Sequence, residues 1–225
     1  LKMKLDRTQV LTKDGSSTLK IEAFKETYHS YHGARTESEF VYIERGLRFW
    51  QESNPHLSCS VLEMGYGTGL ISYLSYLYHA PSSINYTAIE AYPLSQNEIK
   101  LLNYSQCITS EKPHTFDEFS KLSWEQQHKL NANFNFTKRE VLFEQFKAKQ
   151  FFDLIFYDAF GAHAQPELWE EQWMKKCYDL LNPKGVWVSY CAKGSVRRAL
   201  QAVGFEVERL PGPPGKREML RAVKT

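Results

Sequence analysis

The run Cys59 to Met64, CSVLEM, passes directly into Gly65-Tyr66-Gly67-Thr68-Gly69 and then into an apolar helical pattern that extends to about His79. A buried strand, a glycine-rich turn and a helix, in that order, open an α/β unit whose turn lets backbone approach a ligand closely. In the dinucleotide fingerprint the third glycine falls five residues after the first. Here Leu70 holds that place and Gly69 comes at four. The G-x-G-x-G spacing, with Glu63 two residues ahead, suits a nucleoside carrying a methionine chain better than a pyrophosphate. Tyr66 is the one bulky side chain inside the turn.

The chain around this turn reads as one α/β domain. A turn signal at Lys13-Asp14-Gly15-Ser16 between short polar-apolar runs predicts a hairpin over Val10 to Phe24. A polar, aromatic loop spans Tyr28 to Glu37. The 3.6-residue spacing of Phe40, Val41, Ile43, Leu47 and Trp50 then predicts a helix over Ser38 to Glu52. After the glycine turn, strands are expected at Ile84 to Glu90, Phe134 to Thr137, Phe151 to Tyr157 and Gly185 to Tyr190. Helices are expected after Pro93, over Glu167 to Leu181 and over Val196 to Val203. Residues 104–132 read as a helical insertion without a strand. Alternating strands and helices make a parallel sheet covered on both faces. Two closing strands, Phe205 to Arg209 and Glu218 to Val223, are joined only by PGPPGK, too short for a parallel crossover. They predict an antiparallel hairpin at the sheet edge. The expected fold is therefore a Rossmann-like seven-stranded, mostly parallel sheet with an antiparallel C-terminal hairpin. A hairpin extension over 1–27 precedes a main domain over 28–225.

Acids at strand ends are the chemical candidates. Glu90 ends the second strand of the alternating run, followed by Ala91, where nucleoside-binding sheets place a carboxylate for ribose hydroxyls. Glu140, after the third, either accepts from an adenine amino group or is a surface charge. Asp158 follows FFDLIFY, in which six of seven residues are apolar or aromatic. An acid there is costly without a partner, which a sulfonium or a substrate amine would provide; the other reading is a carboxylate bracing its own loop. Together, sheet shape, turn spacing and these acids point to S-adenosylmethionine as the bound group.

Charge narrows the partner classes only locally. There are 28 Lys and Arg against 26 Asp and Glu, a net +2. From Cys191 onward, however, eight basic residues face three acids, a distribution that attracts phosphate backbones or simply solvates a face. No apolar run approaches the roughly 18 residues of a membrane span, and LKMKLDRTQV lacks a signal-peptide core. Cys59, Cys107, Cys177 and Cys191 form no C-x-x-C pair, and with the missing leader they predict reduced thiols in a cytoplasmic protein. His29, His32 and His163 lack the acid or cysteine spacing of a metal site, and no metal is expected.

The segments VLEMGYGTG, AIEAYPL, FDLIFYDAFGAHAQPELW, LNPKGVWVSYCAKGSVRRALQAVGFEVER and GKREML resemble the methyltransferase domain of the tRNA-modifying MnmC family, over roughly Tyr28 to Val223. The run Asp158-Ala159-Phe160 with Pro166 and Trp169, and Lys216 to Leu220, are the specific matches. Two departures stand out: Arg139-Glu140 replaces the family's Gly-Asp, and residues 104–132 are poorly matched. The resemblance is closest to stand-alone forms without the fused flavin oxidase. It implies methylation of the amino group of 5-aminomethyl-(2-thio)uridine at the tRNA wobble position, with S-adenosylhomocysteine as by-product and no flavin. Separate upstream enzymes would supply the aminomethyl substrate.

For such a transfer Asp158 is the candidate that orients the amine by hydrogen bonding, with Glu37 or Tyr28 assisting. Glu63, Gly65, Tyr66, Gly67, Gly69, Glu90, Ala91, Glu140 and Asp158 would meet the cofactor. Phe160 and Trp169 would stack on an anticodon-loop base, or else Trp169 packs in the core. Arg197, Arg198, Lys216 and Arg217 would hold phosphates. Two competing readings are a methyl- or aminopropyltransferase acting on a small free amine, and a non-catalytic module that binds the cofactor and RNA.

Overall fold

The computed structural model describes residues 6–109 and 111–225. The first five residues of the expected N-terminal extension and Ser110 of the expected insertion lie outside the described residues. The chain opens with a small antiparallel sheet of β1 (Arg7–Leu11), β2 (Ser17–Ile21) and β3 (Glu26–Thr27). Asp14 sets the β1–β2 turn: its Oδ1 accepts from the Ser16 amide at 3.0 Å, and its Oδ2 accepts from the Thr36 amide at 2.9 Å. The hairpin is thereby tied to the helix that follows.

The main sheet contains β4 (Cys59–Met64), β5 (Ile84–Glu90), β6 (Gln127–Asn131), β7 (Phe134–Glu140), β8 (Phe152–Tyr157), β9 (Leu181–Ser189), β10 (Phe205–Pro211) and β11 (Glu218–Lys224). Their spatial order is β10-β11-β9-β8-β4-β5-β7-β6. The five central strands are parallel, and β11 pairs antiparallel with both β9 and β10. This is the expected sheet with one strand more. The addition is β6, which pairs antiparallel with β7 inside the stretch expected to be helical. Among the described residues of that stretch only Tyr104–Cys107 and Phe116–Ser120 are helical. The physical reason is β6's edge position: QHKLN buries Leu130 alone, so it carries no apolar alternation to read.

Each face of the sheet has its own core. On one, a continuous helix over residues 34–53, wound as a π-helix over Glu39–Arg48, packs with the helix Leu70–Tyr78. Gly46 brings this long helix close to the sheet, since a Cβ there would lie 2.8 Å from the Phe156 ring and 2.9 Å from Val188. On the other, the helices Glu171–Leu180 and Gly194–Ala202 cover Tyr157, Trp187 and Leu220. Among the described residues no helix is long and apolar enough to cross a membrane.

Candidate active site

At the carboxyl ends of β4, β5 and β8 lies a cleft of about 410 Å³. The strands either side of β4 continue in opposite directions through the sheet, the crevice where open α/β sheets take ligands. Gly65 to Thr68 form one wall and Ile89 to Tyr92 another. Val141 to Glu144, Asp158 to Phe160, Tyr190 and Trp173 continue the lining, and Thr27 to His29 close it from the N-terminal sheet.

The glycine turn is built to admit another group at backbone distance. Gly65 has φ +93°, and a Cβ there would run into the Asp158 carbonyl. Gly67 has φ +50°, and a Cβ would lie 3.0 Å from the Tyr28 ring. Its amide donates to Glu90 Oε2 at 2.9 Å, while Glu90 Oε1 accepts from the Tyr92 amide at 2.9 Å. Glu90 is thus fixed at the rim with acceptor capacity left on both oxygens. Ala91 lines the cleft beside it. Gly69 is different: it does not line the cleft, and its missing side chain makes room for the Tyr66 ring.

Asp158 extends β8 into the cleft, with its amide donating to the Met64 carbonyl at 2.9 Å. The Tyr42 hydroxyl, rising from the 34–53 helix, donates to Asp158 Oδ1 at 2.6 Å. Burial pushes the Asp158 carboxyl up to about 7, against the opposing pull of the Tyr42 hydrogen bond; Glu37 adds to the rise and Lys216 opposes it. Tyr190, from the end of β9, holds the same loop by donating to the Ala159 carbonyl at 2.8 Å. Phe160 meets the Tyr28 ring edge-on at 5.0 Å. Behind this wall, His29 shares a 2.7 Å hydrogen bond with Thr68 Oγ1, and burial lowers its pKa to about 4.

Of the residues expected from the sequence, Gly65, Tyr66, Gly67, Glu90, Ala91, Asp158, Tyr28 and Phe160 meet in this cleft. Besides Gly69, five others need correction. Glu63 is fully buried beneath the turn, where Ser72 and Tyr86 donate to its carboxylate, because strand alternation turns it toward the helix Leu70–Tyr78. Glu140 is exposed at the end of β7, and the four residues after it line the cleft instead. Trp169 is 4% exposed and donates from Nε1 to the Phe160 carbonyl at 2.8 Å, so it braces the loop from inside. Glu37 is buried outside the cleft, accepting from the Ser30 amide at 3.0 Å. Lys216 is not a free phosphate ligand: it pairs with Glu37 Oε1 at 2.6 Å and sits 3.8 Å from the Tyr190 ring centroid.

Arg197 and Arg198 stand on the helix Gly194–Ala202, away from the cleft. Arg217 and Lys216 border a separate open groove of about 550 Å³ on the far side of Tyr190. Tyr42, Tyr190 and Trp173 belong to the cleft region without any local sequence signal. They read as core aromatics until the fold brings Tyr42 and Tyr190 to the loop at 158–160 and Trp173 to the cleft wall beside Phe143. Among the described residues, no three His, Cys, Asp and Glu side chains gather as a metal site would require.

Residues 103–225, more than half of the chain, match the family described as S-adenosyl-L-methionine-dependent methyltransferase. The chain belongs to that family. Among similar proteins is the tRNA 5-methylaminomethyl-2-thiouridine biosynthesis bifunctional protein MnmC of Idiomarina loihiensis, 27% identical over 213 residues, covering 88% of this chain and 35% of that one. The protein of the same description from Magnetococcus marinus is 29% identical over 211 residues, covering 87% of this chain and 31% of its own. This methyltransferase thus spans about a third of the length of the curated relatives it matches. The crystal structure of MNMC2 from Aquifex aeolicus superposes with a TM-score of 0.76 at 21% identity, covering 98% of this chain and 70% of that one. The shared fold is that of the Rossmann-like methyltransferases. The residues of the cleft fit the family's donor: a wall of positive-φ glycines, Gly65 and Gly67, that brings bare backbone to the cleft, and a rim carboxylate oriented by two amides.

Proposed function

We propose that this methyltransferase acts on tRNA, methylating the amino group of 5-aminomethyl-(2-thio)uridine at the wobble position to give the 5-methylaminomethyl form. Bound S-adenosylmethionine supplies the methyl group, on a sulfonium that already activates it for displacement. Glu90 accepts the ribose hydroxyls, and Gly65 and Gly67 let the backbone approach. Asp158 accepts a hydrogen bond from the attacking amine and favours the positive charge that builds on nitrogen. Alignment of the amine by a fixed carboxylate is worth several kcal/mol. Tyr28 and Phe160 offer aromatic faces to a base splayed out of the anticodon loop.

The observation that supports this most directly is the Asp158 carboxyl itself. It is held by Tyr42 and set among aromatic walls, with a pKa near neutrality. The substrate is suggested by the names of the relatives, which carry 5-methylaminomethyl-2-thiouridine biosynthesis. Arg198 and Arg217, both exposed, would carry phosphate contacts along the outer face. On this reading the protein works in the cytoplasm, and separate enzymes install the aminomethyl group.

Nucleoside mass spectrometry of tRNA from a strain lacking the gene tests it. Methylaminomethyl-uridine disappears and its unmethylated amine accumulates. An unchanged nucleoside profile overturns the proposal.

A further inference from the structure

Lys138, on β7, is 2% exposed. A lysine so deep ordinarily has an acid for company. Among the described residues this one forms no ion pair: its ammonium donates to the Ser120 carbonyl at 2.9 Å and otherwise faces two rings, Trp124 at 4.8 Å and Tyr66 at 5.3 Å from the centroids. Cation–π attraction is strongest in such desolvated surroundings. Ser120 and Trp124 belong to the stretch that precedes β7, whereas Tyr66 belongs to the glycine turn.

The Tyr66 ring is gripped from both sides. Trp124 meets it edge-on at 5.5 Å, and Phe136 backs it at 6.3 Å. Opposite them, a Cβ on Gly69 would come 2.7 Å from the tyrosine Cζ, so ring and backbone are already in contact. The Tyr66 amide donates to the Ile89 carbonyl at 2.9 Å, and its own carbonyl accepts from the Gly69 amide at 2.8 Å. A shift of the ring therefore moves the turn.

We propose that Lys138 and Trp124 are positioning residues, holding the glycine turn at the geometry the cofactor needs through the Tyr66 ring. The stretch over 111–131 then serves as the buttress of that turn. This rests on the reading that the Gly65–Gly69 turn holds the cofactor.

Calorimetric titration of the full chain with S-adenosylhomocysteine, together with thermal melting, tests the proposal. Lys138→Met keeps the length of the side chain and removes its charge. It should weaken binding by about tenfold, a loss within reach of a desolvated cation–π contact. The melting temperature should hold or rise, because removing a buried charge without an acid partner does not cost stability. Lys138→Arg should recover most of the affinity. Trp124→Leu, at a half-buried site, should weaken binding similarly, and the double variant should do little more than either single one, since both act through one ring. Unchanged affinity in folded Lys138→Met and Trp124→Leu overturns the proposal. Failure of the unmodified protein to bind, or binding that Gly67→Val leaves intact, overturns the underlying reading of the turn instead.

Discussion

Tyr42 and Asp158 are 116 positions apart in sequence, and the tyrosine hydroxyl donates to the aspartate at 2.6 Å. The contact crosses from the helix under the sheet to the tip of β8. It opposes the burial that lifts the Asp158 carboxyl to about 7. The proposed role of Asp158 uses its carboxylate form, so kcat/KM should rise with pH through a limb near 7. Tyr42→Phe removes the hydrogen bond and should move that limb to higher pH, whereas Asp158→Asn should abolish it and lower kcat by about 10²–10³-fold. A pH–rate profile that stays in place for Tyr42→Phe would show the hydroxyl to be idle.

Two buried groups should tilt stability in opposite directions over the same pH range. Asp158 has its folded pKa raised from 3.8 to about 7, so the native state holds the extra proton and stability falls as pH climbs between those values. His29 has its folded pKa lowered from 6.5 to about 4, so the unfolded state holds the extra proton and stability rises with pH across that window. Melting temperatures of Asp158→Asn and His29→Gln against the parent, at pH 4 to 8, separate the two. The Asp158→Asn advantage should grow with pH, and the His29→Gln difference should shift toward the parent as pH rises. Parallel curves for all three proteins would contradict both assignments.

Gly67→Val places a branched side chain at φ +50°, facing the Tyr28 ring. Left-handed backbone costs an ordinary residue roughly 1–2 kcal/mol, and more when it is β-branched. Binding of S-adenosylhomocysteine by calorimetry should fall below detection while the circular dichroism of the folded sheet persists.

The Glu37–Lys216 pair joins the start of the 34–53 helix to the loop between β10 and β11. Its side chains are 9% and 31% exposed. Lys216→Met strands a mostly buried carboxylate and should cost more stability than Glu37→Gln, whose partner can reach water. It should also raise the Asp158 pKa, and Glu37→Gln should lower it, because the two charges act on that carboxyl in opposite senses. Titration of Asp158 by NMR in the two variants checks the signs.

Much of this site can be read from residue order because strand tips and tight turns leave local marks. The glycines at 65 and 67, the acid that ends β5 and the acid after β8 each sit where an apolar run stops. Direction is harder to read. Glu63 looks like a cofactor ligand until alternation along β4 turns it into the interior, and Trp169 looks like a stacking platform until its indole nitrogen is seen bonded to the Phe160 carbonyl. Tyr42 and Tyr190 carry no mark, since their contacts form only when distant elements close on the loop at 158–160. Strand β6 stayed hidden for a related reason: an edge strand need bury only one side chain, and a polar pentapeptide gives no period to detect.

The insertion of β11 between β9 and β10 has a consequence for anyone engineering this protein. Residues 218–224 cannot be trimmed as though they were a dangling tail, because cutting them would open a gap inside the sheet and leave β10 with nothing to zip against. The short connector ahead of them delivers Lys216 to the back of Tyr190. Lengthening it for a tag or a graft would therefore be felt at the cleft wall, far from where the edit was made.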